Sequence, residues 1–143
     1  MRIRAAVLEE FGAPLEVQQV DLEEPRAGEA LVRLEACGVC HTDLYTASGV
    51  DPSGYAPTVL GHEGAGVVER VGEGVRFVAP GDHVVTLFSP QCGECVHCRR
   101  GRNSLCEKRV LLGMNVAGGF ADSGRRVEDP PCDVRKSFPA ILV

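Results

Sequence analysis

The sequence is poor in features that would send it to a membrane, out of the cell or onto a nucleic acid. No stretch is long and apolar enough to span a bilayer. The opening Met1-Arg2-Ile3-Arg4-Ala5-Ala6-Val7-Leu8-Glu9-Glu10 reaches acidic residues too early to hold the apolar segment of a signal peptide. No basic cluster rises above local pairs such as Arg99-Arg100 and Arg125-Arg126, and no aromatic ladder accompanies them in a chain without tryptophan. With a net charge of −5, nucleic acid is not the expected partner. A dinucleotide-binding fingerprint is also missing, because Gly61 to Gly66 lacks the spacing and the strand–helix context. These absences predict a cytoplasmic protein with no nucleic-acid and no membrane partner.

What is present fits a single folded unit. At 143 residues, with 44% apolar and 24% charged, the chain can bury one core rather than two. Seven cysteines are an odd number without an export signal, so they read as thiolates for metal or chemistry, not as a disulfide framework. Short strands are expected at residues 3–8, 15–20, 30–36 and 64–71, with a further apolar run from His83 to Phe88. Gly/Pro breaks separate them, at Phe11-Gly12-Ala13-Pro14, Pro25–Gly28, Gly72–Gly74 and Pro80-Gly81. One short helix is expected at residues 41–47, with Thr42 as a candidate cap and Asp43 in its first turn. Close-spaced short strands predict an all-β barrel or sandwich core.

The strongest signal is Cys92-x2-Cys95-x2-Cys98-x7-Cys106. Four thiolates on a short loop can wrap a tetrahedral zinc and leave no open position, which makes such a site structural. Gly93 and Gly101 let that loop turn tightly. An iron–sulfur cluster would accept the same four sulfurs. His97 lies inside the loop, but the quartet is complete without it. Upstream stand Cys40-His41-Thr42-Asp43 and Gly61-His62-Glu63, which by themselves are weak evidence for a second site.

The context of these residues carries more. Gly61-His62-Glu63-x2-Gly66-x5-Gly72-x2-Val75, with Gly38-Val39-Cys40-His41-Thr42-Asp43 before it and the quartet after it, resembles the zinc-dependent medium-chain alcohol dehydrogenases. The resemblance runs from about residue 4 to residue 108 and displaces the iron–sulfur reading. It implies a mainly β, chaperonin-10-like (GroES-like), partly open barrel with short helices and a structural-zinc lobe at about 89–108. It places Cys40 and His62 as two ligands of a catalytic zinc, Glu63 as the acid beside it, and Thr42 as the hydroxyl that takes the substrate proton. Asp43 matches the carboxylate that orients the histidine, and His41 matches a contact to the pyrophosphate of NAD. Two thiolates and one imidazole leave the fourth zinc position open, and alcohol dehydrogenase is the standard example of that ligand set. The resemblance also implies a homo-oligomer and a small alcohol or aldehyde substrate.

Cys40-His41-Thr42-Asp43-Leu44-Tyr45-Thr46, Ser48-Gly49, Asp51-Pro52 and Pro90-Gln91-Cys92-Gly93-Glu94-Cys95 are most similar to the glutathione-dependent formaldehyde dehydrogenase class. There Tyr45 and Asp51 match residues near the bound thiol conjugate. That class also has an anion-binding Arg four places beyond the last structural Cys. Here Val110 holds that place and Arg109 is one short, so a general alcohol or aldehyde stays open as substrate.

Past Lys108 the resemblance fades. The family's third catalytic ligand and its Rossmann domain come later, and Cys132 falls too soon after the quartet to replace that ligand. Residues 1–108 are therefore expected to form the domain and 109–143 a divergent, irregular tail, the chain being an inactive fragment of a dehydrogenase. The competing expectation is a stand-alone, zinc-stabilised β domain acting as a non-catalytic binding module. An ordered tail is expected of the module, a loose one of the fragment.

Overall fold

The computed structural model describes residues 1–89, 91–127 and 134–136. The elements in chain order are β1 (Arg2–Leu8), β2 (Glu16–Asp21), β3 (Glu29–Gly38), α1 (His41–Ala47), β4 (Thr58–Val59), β5 (Glu63–Val71), β6 (His83–Thr86), α2 (Val96–Arg99), β7 (Ser123–Val127) and β8 (Val134–Lys136). A single 3₁₀ turn, Asn103–Leu105, closes the cysteine loop. The strands make two antiparallel sheets, β2-β1-β4 and β7-β3-β5-β6-β8. The mainly β architecture is as expected, and each anticipated strand is present within two residues of its expected ends. Among the described residues no helix is long and apolar enough to cross a membrane.

A buried apolar cluster lies on the five-stranded sheet. Ala30, Val32, Val68, Val78 and Val84 pack together, with Leu34, Val71 and Val75 against them. Each fully buried valine or leucine contributes roughly 1.5–3 kcal/mol of transfer free energy, so this patch is a main source of stability. Strict alternation along β3 fails for a visible reason. Glu29 to Val32 are buried on both faces, and bulges at Leu31/Val32 and Leu34/Ala36 rephase the strand against β5.

The segment expected to be a loose tail is a seam through residue 127. Gly118 N, Gly119 N and Phe120 N donate to Val59 O, Gly61 O and Leu60 O at 2.7, 2.9 and 2.9 Å. Ala6 N donates to Phe120 O at 2.8 Å, and Leu34 N to Asp122 O at 3.0 Å, so the segment touches both sheets. β7 then pairs with β3 from Glu29↔Val127 to Arg33↔Ser123, and Leu112 and Met114 are buried. A Gly-Gly pair without periodicity reads as a break, but here small residues let two backbones meet. A Cβ on Gly118 would collide with the carbonyls of Leu60 and Gly61. Of the remaining tail, β8 pairs with β6 from Val84↔Lys136 to Thr86↔Val134, and the rest, Cys132 included, lies outside the described residues.

Candidate metal centres

The first centre is built by local turns. Cys92, Cys95, Cys98 and Cys106 place their sulfurs within 4.8 Å of one another. A tetrahedral site with bonds of about 2.3 Å needs sulfurs about 3.8 Å apart; Cys92 Sγ and Cys98 Sγ are 4.0 Å apart. Backbone amides point at the sulfurs: Cys92 N to Cys106 Sγ at 3.2 Å, Cys95 N to Cys92 Sγ at 3.3 Å, and Cys98 N to Cys95 Sγ at 3.5 Å. The Cys98 and Glu107 amides draw the Cys95 thiol down to about 6. Desolvation and the neighbouring Cys95 sulfur push Cys98 up to about 12. At Cys106 desolvation pulls upward, but the amides of Cys92 and Lys108 outweigh it and the thiol is lowered. Four sulfurs this close together, with backbone amides aimed at them, are suited to a divalent cation of soft preference, and zinc fits the set. All six cysteines among the described residues are free thiols.

The second centre is built by tertiary contacts. Cys40, at the end of the β3–α1 turn, and His62 and Glu63, where β5 begins, bring one donor atom each within 4.8 Å. They face an open cleft of about 580 Å³, also lined by Thr42, Thr86 and Phe88. Asp43 holds this arrangement from beneath. Its Oδ2 accepts from Cys40 N at 2.9 Å and its Oδ1 from Gly61 N at 3.0 Å, while His62 Nδ1 lies 3.5 Å from Oδ1. That buried Nδ1 has no hydrogen-bond partner, so a small shift of the ring toward Asp43 would complete a bond and leave Nε2 for a cation. Thiolate, imidazole and carboxylate together fit zinc.

The helix start differs from expectation. Cys40, not Thr42, is the N-cap, and Asp43 three places on accepts the cap's amide. Thr42 sits inside the first turn, half-buried, with the Cys40 sulfur 3.6 Å from its hydroxyl. The hydroxyl is thereby left facing the cleft rather than spent on the helix end.

The other anticipated residues separate from this centre. His41 is exposed on the first turn of α1, and Tyr45 is exposed further along it. Asp51 is engaged in its own turn, accepting from Ser53 N at 2.8 Å and Ser53 Oγ at 2.7 Å. His83 is an exposed β6 residue opposite Val67. Arg109 Nη1 donates to Ser104 O at 2.8 Å, and Val110 beside it is exposed. Cys37 is outside both donor groups; burial pushes its thiol up, against the lowering pull of the Glu63 backbone. Two residues of the centre went unread in the sequence. Thr86 bonds the backbone around Glu63, and the Phe88 ring sits on His62 with centroids 4.6 Å apart. The only signal was one hydroxyl in an otherwise apolar run.

A two-sheet β fold carrying a four-thiolate loop and a separate, cleft-facing Cys/His/Glu trio defines a zinc-type dehydrogenase domain. The chain belongs to the alcohol dehydrogenase GroES-like domain family, which matches residues 26–127 and so continues past residue 108. It is 56% identical over 106 residues to an S-(hydroxymethyl)glutathione dehydrogenase of Paracoccus denitrificans, covering 74% of this chain and 28% of that protein. Among solved structures it is similar to AibC, with a TM-score of 0.91 and 33% identity over 99% of this chain and 39% of that one. An NAD-dependent alcohol dehydrogenase gives a TM-score of 0.83 at 37% identity, covering 93% of this chain and 39% of that one. The chain thus spans under a third of the length of the curated relative it matches.

Proposed function

We propose that this chain is the metal-bearing catalytic domain of an NAD-dependent zinc alcohol dehydrogenase, and that the whole protein oxidises an alcohol or a thiol-hemiacetal. The observation that carries this reading is the trio of Cys40, His62 and Glu63 converging on an open cleft, apart from the saturated quartet. In this reading Cys40 and His62 hold a catalytic zinc with Glu63 beside it, and Cys92, Cys95, Cys98 and Cys106 hold a structural one. When bound, zinc supplies the Lewis acidity that eases loss of a hydroxyl proton, and NAD supplies the hydride acceptor. Thr42 relays the substrate proton, accepting it at Oγ1 as its own hydroxyl proton passes to water in the open cleft. Asp43 fixes the tautomer and aim of His62. His41, exposed at the start of α1, meets the cofactor pyrophosphate, while Tyr45 and Asp51 face the substrate. A cytoplasmic setting, which keeps the thiols reduced, and a homo-oligomeric whole protein belong to the same reading.

Metal analysis tests it. The chain titrated with zinc should hold one ion tightly at the quartet and take a second more weakly at the cleft, where the family's third ligand is missing. Cys40→Ser and His62→Ala should each remove the second, and Cys95→Ser the first. Retention of both ions by Cys40→Ser and His62→Ala would count against a catalytic site at the cleft. For the whole protein, comparing turnover of a simple alcohol with that of the glutathione–formaldehyde adduct separates the two substrate classes.

One observation favours the non-catalytic binding module: residues 118–127 are hydrogen-bonded into both sheets. The same residues fall within the family match, so order there is equally a property of the dehydrogenase domain. A binding module has no use for Cys40, Thr42, His62 and Glu63 around one cleft, and the dehydrogenase reading stands ahead of it.

A further inference from the structure

The ladder between β5 and β6 stops at Ala65↔Val85, short of the residues that bear the cleft donors. Along a strand, backbone groups two residues apart face the same neighbour. His62 O and Gly64 N are therefore left facing β6 beyond its last pair. The Thr86 side chain fills that place. Its hydroxyl donates to His62 O at 2.8 Å and accepts from Gly64 N at 2.8 Å. One oxygen thus grips the backbone on both sides of Glu63. Gly64 makes room for it, since a Cβ there would meet Thr86 Cγ2 at 3.1 Å. Two residues further on, the Phe88 ring leans on the His62 imidazole at an interplanar angle of 47°.

We propose that Thr86 is a positioning residue for the cleft centre: its hydroxyl, in place of a sheet pair, sets the aim of His62 and Glu63 toward Cys40. This rests on the reading of the cleft as a metal site. A hydroxyl that merely closed the sheet would stabilise β5 and β6 without tuning the donors. One that positions them must change cation affinity at the cleft and leave the quartet alone.

The test is a cobalt(II) titration of the full chain, following thiolate-to-cobalt absorption at both centres in wild type, Thr86→Val and Thr86→Ser. Loss of the hydroxyl should weaken the cleft site about tenfold, in the range typical for groups that support a metal ligand. Quartet affinity should stay unchanged, and Thr86→Ser should restore the cleft. Equal cleft affinity in wild type and a folded Thr86→Val would overturn the proposal. Thr86→Ala replaces the valine variant if the added methyl against Gly64 N prevents folding.

A metal-free measurement separates this proposal from the site reading. In the apo chain, Thr86→Val should speed amide exchange at Gly64 and move the ¹⁵N resonances of the His62 ring. Faster exchange with an unmoved His62 ring would reduce Thr86 to a sheet contact. A wild type that takes cobalt only at the quartet would sink the metal-site reading and this role with it.

Discussion

The quartet and the cleft trio are both clusters of metal donors, and they are assembled in opposite ways. From Cys92 to Cys106 every ligand lies on one loop, and the amides that support the sulfurs come from that loop. Cys40 and His62 sit on different elements, and their supports come from α1 through Asp43, from β6 through Thr86, and from the 118–120 seam that seats Leu60 and Gly61. The quartet can close as soon as its loop turns. The cleft exists only once both sheets are in register. A local centre is therefore vulnerable to loss of any one ligand, and a distributed one to loss of any one support.

Removing a quartet ligand should have the largest effect. Structural zinc binding is linked to folding by on the order of 10 kcal/mol, and Cys106 is a buried ligand at the loop's closing end. Cys106→Ser is expected to lose one metal ion and make residues 93–105 sensitive to protease, while the β1–β6 core keeps its far-ultraviolet signature. Collapse of the core along with the lobe would show that the lobe is not an independent local unit.

Asp43→Asn comes next. The buried carboxylate accepts from two amides on different segments. An amide side chain has one acceptor oxygen and cannot replace both, and an unmet buried group costs about 1–3 kcal/mol. The cleft's metal affinity should fall by about ten- to a hundredfold, with the quartet still full. Isothermal titration against zinc would read both sites at once, and equal losses at the two would erase the distinction between them.

The smallest effect belongs to the seam's exposed end. Arg4 Nε and Nη2 donate to the Asp122 carboxylate, each at 3.1 Å, and Arg4 N donates to Oδ2 at 3.1 Å. The Arg4 hydrogen bonds hold the Asp122 carboxyl below its usual range. A lowered native pKa means stability that is fully present above the unfolded value and is lost as pH falls through the native one. Weakening should begin only below about pH 4. Amide exchange at residues 120–124 in wild type and Asp122→Asn, followed from pH 6 to pH 3, should differ at the upper end and converge at the lower. A constant difference across that range would remove Asp122 from the account.

The strands from β1 to β6 were largely legible because their apolar runs and Gly/Pro breaks act over a few residues. So was the quartet, whose spacing alone implies convergence. The trio was legible only through its family signature, since a cysteine and a histidine far apart in sequence say nothing about distance. Thr42 was misplaced as a cap because Cys40 holds that position and Asp43 answers it. The seam was missed because Gly118 and Gly119 have no periodicity to read; the role of Gly118 lies in the close approach of Leu60 and Gly61 that it allows.

By itself, then, the sequence determined the β class, the short helix at 41–47, the four-thiolate loop and the identity of the cleft donors. Tertiary structure decided which backbone groups those donors lean on, that residues 118–127 join the two sheets, and that Thr86 and Phe88 line the cleft. The reason is the range of the forces involved. Turn preferences and ligand spacing act within a loop and leave their mark in neighbouring residues, whereas register and close backbone approach are set by partners far along the chain, meeting only when the sheets have closed.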